Sequence, residues 1–111
     1  LQGFRAVLPL DGAVSVYAYT LDKNAGEQGD LQARMLTPRM TEDPATGSAT
    51  AAVTALLALH RDKTTLSLQV SQGVDMGRAS TLYSGYDASS GKSVVRVGGS
   101  CVITMEGAFT L

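Results

Sequence analysis

The stretch Ala49-Thr50-Ala51-Ala52-Val53-Thr54-Ala55-Leu56-Leu57-Ala58-Leu59 carries no charge at any position. Alanine and leucine favour the helix, and at about 1.5 Å per residue the segment makes roughly three turns. A helix lying on a protein surface keeps a polar stripe. This one has none, so the reading is a helix buried all round, and the rest of the chain must cover it.

The flanking sequence supplies strands for that purpose. Phe4–Leu10, Ala13–Thr20, Leu31–Thr37, Leu66–Ser71, Ser80–Tyr86, Ser93–Val97 and Cys101–Phe109 are short runs rich in Val, Leu, Tyr and Thr. Turn signals separate them at Asp11-Gly12, Asn24-Ala25-Gly26, Gln72-Gly73, Ser89-Ser90-Gly91-Lys92 and Gly98-Gly99. In Leu66-Ser67-Leu68-Gln69-Val70 and Ser93-Val94-Val95-Arg96-Val97 every second residue is apolar, as a sheet with one wet face requires. The expected class is α+β, with a mixed or antiparallel, barrel-like sheet wrapped around one buried central helix. Asn24–Asp30, rich in Gly and polar residues, reads as a surface loop.

The 111 residues are the size of one domain with one core. A net charge of -1 lacks the basic excess that nucleic-acid binding uses, so no such partner is expected. One cysteine, Cys101, and one histidine, His60, leave no ordinary zinc ligand set and no disulfide. No metal is expected. Cys101 alternates like a core residue. The charge-free run from Pro44 to Leu59 is broken by polar residues and falls short of the ~20 apolar residues a membrane span needs. Nothing resembles a signal peptide, so a cytoplasmic protein without membrane contact is expected.

The start of the helix has two readings. The first amides of a buried helix have no intrahelical partner. Asp43 can act as N-cap with Pro44 as first helical residue. Alternatively, Asp43 to Gly47 forms a loop, the helix starts near Ser48, and the amides of Thr46, Gly47, Ser48 and Ala49 meet a carboxylate or other anion. Gly47-Ser48 fits neither a nucleophile elbow nor a phosphate loop. His60 lies twelve residues beyond Ser48, ~18 Å along one helix, too far for a Ser/His dyad. It reads as the polar end of the helix beside Arg61 and Lys63, where cations suit the dipole.

Glu42-Asp43-Pro44-Ala45-Thr46-Gly47-Ser48-Ala49 resembles the signature of the phenazine-biosynthesis PhzF-like family, which is related in fold to diaminopimelate epimerase. Arg34-Met35-Leu36-Thr37-Pro38 leads into it as the family's preceding strand does. Gln72-Gly73-Val74-Asp75-Met76-Gly77-Arg78-Ala79-Ser80 resembles the family's second motif, and Val97-Gly98-Gly99-Ser100 with Glu106-Gly107 its closing hairpin.

The resemblance implies a two-domain isomerase or epimerase that moves a proton on a small acidic metabolite without cofactor, with the active site between two helix N-termini. Residues 1–111 would be its C-terminal domain. Asp43 and Ser48 then carry the catalytic roles. Thr46, Gly47 and Ala49 cradle the substrate, joined by Gly73 and Arg78, although a strand arginine also serves in solvated or structural ion pairs. The family's principal base is a glutamate of the N-terminal half, accompanied by a Gly-His-Pro motif, and this chain holds neither. Its glutamates, Glu27, Glu42 and Glu106, do not match that base, so activity would need an N-terminal half or a partner chain.

A face shaped to meet a second domain leaves an apolar patch, and a homodimer is expected. Two other readings stand beside the isomerase. One is a noncatalytic ligand-binding or dimerisation domain that kept the anion site. The other is a hot-dog-like acyl-CoA thioesterase, whose sheet also wraps a helix.

Overall fold

A computed structural model of the chain describes residues 12–21, 31–37, 39 and 41–110. The elements are β1 (Val16–Leu21), β2 (Leu31–Leu36), β3 (Glu42–Asp43), α1 (Gly47–His60), β4 (Thr65–Gln72), β5 (Ser80–Asp87) and β6 (Val94–Gly99). The expected strand at 4–10 and loop at 24–30 lie outside the described residues.

Among the described residues the strands form one mixed sheet in the order β1-β2-β4-β5-β6, with β3 also on β2. Every pairing is antiparallel except β2 with β4. Parallel neighbours need a crossover long enough to return the chain to the same end of the sheet, and α1 provides it. This α+β unit is open. β1 and β6 end the sheet without meeting, so the expected barrel-like closure is not present among the described residues.

Among the described residues the helix is covered on one side only. Thr50, Val53, Thr54, Leu57 and Ala58 are buried, and α1 packs on β4, β5 and β6. On the other side Leu56 is 56% and Leu59 68% exposed, which corrects the expectation of burial all round. A charge-free sequence licenses burial on any face, but a single open sheet covers one.

The sheet's alternation holds where it was clearest. In β4, Leu68 and Val70 are buried and Leu66 half-buried, while Ser67 and Gln69 face water. In β6, Val95 and Val97 are half-buried and Val94 and Arg96 exposed; β2, outside those two runs, likewise buries Leu31 and Ala33 and exposes Gln32 and Arg34. Leu31, Ala33, Val53, Leu57, Leu68, Val70 and Leu82 make the core cluster, with Tyr17, Leu66 and Val97 packed against it.

The end of the chain departs from expectation. Residues 101–110 have no regular structure and are exposed, including Cys101, so neither a strand at 101–109 nor a core cysteine is found. Apolar β-formers make a strand only beside a partner edge, and this segment has left the sheet. Gly98 and Gly99 do not turn either: they continue β6 opposite Tyr83 and Leu82. The expected closing hairpin is therefore absent from residues 97–107.

A line of threonines runs along the buried side of α1. The Thr50 hydroxyl donates to Thr46 O at 2.9 Å, and Thr54 to Thr50 O at 2.7 Å. Because each hydroxyl has one proton, Tyr17 must be the donor in its 3.0 Å contact with Thr50 Oγ1, while the one proton of Thr54 is shared between Thr50 O and Ser84 Oγ, the latter at 2.8 Å. β1 and β5 are thus each tied to the helix by a hydroxyl hydrogen bond.

Leu57→Ala is expected to cost about 2–5 kcal/mol of unfolding free energy, whereas Leu56→Ala stays within about 0.5 kcal/mol. Paired urea denaturations measure both. Burial pushes the Tyr17 phenol up, against a smaller downward pull from the Thr50 bond. A group whose pKa is raised on folding contributes stability below its unfolded value and loses it as pH rises through the folded one. Thermal midpoints should therefore fall more steeply above about pH 10 in the wild type than in Tyr17→Phe.

Candidate functional site

One edge of β2 is shared by two partners. Leu31, Gln32 and Ala33 pair with Val70, Ser71 and Gln72 of β4. Further along, Met35 and Leu36 pair with Asp43 and Glu42 of β3. The end of β4 and the start of the signature loop therefore lie one after the other on the same edge, and Gln72 comes up against Asp43.

After Asp43 the chain turns through Pro44 and Ala45, and α1 begins at Gly47 with Thr46 as its N-cap, at φ -122° and ψ 92°. The loop reading is the one adopted. Asp43 is not the N-cap, and Pro44 is not helical. The Thr46 hydroxyl makes no cap hydrogen bond; it donates to Asp43 Oδ2 at 2.8 Å. The Ala45 amide meets Asp43 Oδ1 at 3.4 Å.

The first helical bond runs from Thr50 N to Thr46 O at 3.1 Å. Among the described residues no side chain caps the amides of Gly47, Ser48 and Ala49. Gly47 and Ser48 are exposed and Ala49 is half-buried. Unpartnered amides at the positive end of a helix dipole favour an anion.

Gln72, fully buried, fastens this loop. Its Nε2 donates to Asp43 O at 2.7 Å and to Thr46 Oγ1 at 2.9 Å, and its Oε1 accepts from Thr46 N at 3.2 Å. The sequence placed Gln72 in a turn and at the head of the second motif, with no role of its own. A signal was present, because the inward register of β4 runs Leu66, Leu68, Val70 and then Gln72, placing an amide where an apolar residue is due.

Gly73 follows at φ +76°, and a Cβ there would lie 2.3 Å from Arg78 O and 3.0 Å from Pro44 O. Only glycine fits such an approach. Arg78 N donates to Gly73 O at 2.9 Å, so Arg78 closes the turn through its backbone, and its side chain is exposed.

Arg34 braces the loop from β2. Its Nε and Nη2 donate to the two Glu42 carboxylate oxygens at 3.1 and 2.7 Å, and its Nη1 lies 3.2 Å from Asp75 Oδ2. The hydrogen bonds to Glu42, then its charge, raise the Arg34 pKa above its ordinary value. Both Glu42 oxygens are engaged, which leaves that carboxylate ill placed to act as a base.

A cleft of about 520 Å³ opens beside the loop, lined in part by Ala45, Ala79, Ser80, Gly98 and Cys101. A larger groove of about 650 Å³ crosses β4, β5 and β6 around Gln69, Tyr83 and Arg96. Neither lining includes an expected site residue; the smaller cleft reaches the loop only at Ala45 and lies beside Arg78 only through Ala79. His60 ends α1, as expected, at the far end from Ser48.

No helix among the described residues is long and apolar enough to cross a membrane. No group of three or more His, Cys, Asp or Glu among them is placed to hold a metal.

The fold and site define an α+β protein built on a β-loop-helix-β crossover, whose loop leads into open helix amides. The family model of the phenazine biosynthesis-like proteins (PhzC–PhzF) matches residues 9–107, and the chain belongs to that family. No curated protein matches it.

The close approach of Gly73 to Pro44 sets a test. Gly73→Ala carries the left-handed backbone cost of about 1–2 kcal/mol plus about 1–3 kcal/mol for overpacking. Gly77→Ala, at φ +77° in open space, carries the backbone cost alone. Chemical denaturation of both variants should separate them in that order.

Proposed function

We propose that this chain is the substrate-holding half of a cofactor-independent isomerase, which moves a proton on a small acidic metabolite by acid–base chemistry. The observation that carries the reading is the signature loop, which leads into the amides of Gly47, Ser48 and Ala49 with no side chain among the described residues capping them. Family membership supports the reaction class. Fixed amide dipoles stabilise the negative charge that develops when a carbon acid loses a proton. In this reading an anionic group of the substrate rests on those amides, and Gly47 forms the cradle with Ser48 and Ala49; the Thr46 amide, expected among them, is instead taken by Gln72 Oε1. Asp43 and Ser48 contact the reacting part, and Gly73 and Arg78 complete the wall.

The base comes from a second polypeptide segment, either an N-terminal half or a partner chain. Glu42 is engaged by Arg34, and Glu106 lies in the exposed segment after β6. A second copy of this chain is the partner proposed. Leu56 and Leu59 on α1, with Val102, Ile103, Met105 and Phe109 after β6, are large exposed apolar side chains, and such surface favours association. The engagement of Glu42 equally supports a noncatalytic binding domain. Acyl-CoA hydrolysis rests only on a helix packed on a sheet and is not carried forward.

Solvent deuterium incorporation into small carboxylic acids separates isomerase from binder, because only the former exchanges the abstracted proton. Exchange should be lost in Asp43→Asn by at least about 100-fold, within the range general acid–base groups contribute. Undiminished exchange in that variant sinks the role given to Asp43. Light scattering on the eluting protein should return twice the chain mass; a stable monomer at high concentration overturns the proposed dimer.

A further inference from the structure

We infer that Gln72 is a positioning residue for Asp43, acting through the Thr46 hydroxyl to hold the carboxylate so that Oδ1 is the oxygen left for substrate. This rests on the proposed contact between Asp43 and the substrate.

The direction of each hydrogen bond follows from the inventory of donors and acceptors. Asp43 O can only accept and Thr46 N can only donate, so the Gln72 amide has one workable orientation, with Nε2 toward the former and Oε1 toward the latter. Nε2 therefore also donates to Thr46 Oγ1. With an acceptor site on that oxygen filled, the single hydroxyl proton of Thr46 is directed to Asp43 Oδ2. Oδ1 has only the long 3.4 Å contact with the Ala45 amide and keeps most of its acceptor capacity.

The use of the Thr46 hydroxyl distinguishes this from a staple that merely secures the backbone, and the placement of Gln72 shows that its amide has a task. A threonine at an N-cap ordinarily turns its hydroxyl onto the helix's own amides; Thr46 instead spends it on Asp43. Next, Leu68 and Val70 fill the same inward register at 3% and 0% exposure. An apolar side chain would complete that series, and a buried amide is tolerated only when its polar atoms are paired. Two of the three Gln72 bonds secure the backbone of Asp43 and Thr46, and the third reaches the Thr46 hydroxyl that holds the carboxylate.

The test uses the full chain with Thr46→Val, Thr46→Ser and Gln72→Glu, each checked for folding by thermal melting. Three-bond NMR couplings from the Asp43 carboxyl carbon to its own backbone nitrogen and carbonyl carbon report the side-chain rotamer without needing activity. The wild type and Thr46→Ser should show one rotamer; Thr46→Val and Gln72→Glu should show averaged couplings. In the deuterium exchange assay Thr46→Val should lower kcat at least tenfold with KM within twofold, and Thr46→Ser should restore it.

A single Asp43 rotamer in folded Thr46→Val and Gln72→Glu overturns the inference, as does averaging in the wild type. Loss of exchange in Asp43→Asn with unchanged kcat and rotamer in Thr46→Val removes the positioning role alone. Exchange that survives Asp43→Asn removes the role of Asp43 in the reaction, while the couplings still decide whether Gln72 and Thr46 hold its carboxylate.

Discussion

The pairing of one strand edge with two different partners is the constraint on which the rest depends. β2 accepts the end of β4 along its first half and the two residues of β3 along its second. Because backbone groups of the sheet must be paired, the two partners lie in a line and their ends meet. That meeting puts a glutamine amide from β4 against the loop that starts the helix. It also sets Gly73 against Pro44 so closely that no side chain fits between them.

Rigidity at the helix start follows from how those groups are satisfied. The Gln72 amide, the Thr46 hydroxyl and amide, and the Asp43 carbonyl and carboxylate form a small closed network. No buried side-chain nitrogen or oxygen among the described residues lacks a partner. A fully paired buried network specifies one geometry, whereas a half-paired one costs more than an apolar core. Arg34 adds a second brace through Glu42 and Asp75, on the exposed side where an ion pair contributes little to stability. Its bidentate geometry still fixes Glu42 in place.

The same economy explains what the loop leaves open. With its hydroxyl turned to Asp43, Thr46 does not close the helix start, and the first amides remain available. In the proposed function, the polar network behind the loop and the amides that are uncapped among the described residues in front of it receive a small anion. The apolar side chains left exposed on α1 and after β6 are the complement of this arrangement, since an open sheet covers a helix from one side only.

The sequence by itself determined the helix near 49–59, the alternating strands over 66–70 and 93–97, and the signature and second motif as the likeness of a family. These are local properties: helix propensity, period-two burial and short contiguous motifs. It misread the burial of the helix's outer side, the strand at 101–109 and the core position of Cys101, because whether an apolar segment is covered depends on which partner the fold brings to it. It also left open whether Asp43 caps the helix. Only the tertiary structure decided that, by bringing Gln72 from 26 residues beyond Thr46 to hold the loop open. No reading of local propensity reaches across such a separation, although the one polar residue in the inward register of β4 marked where to look.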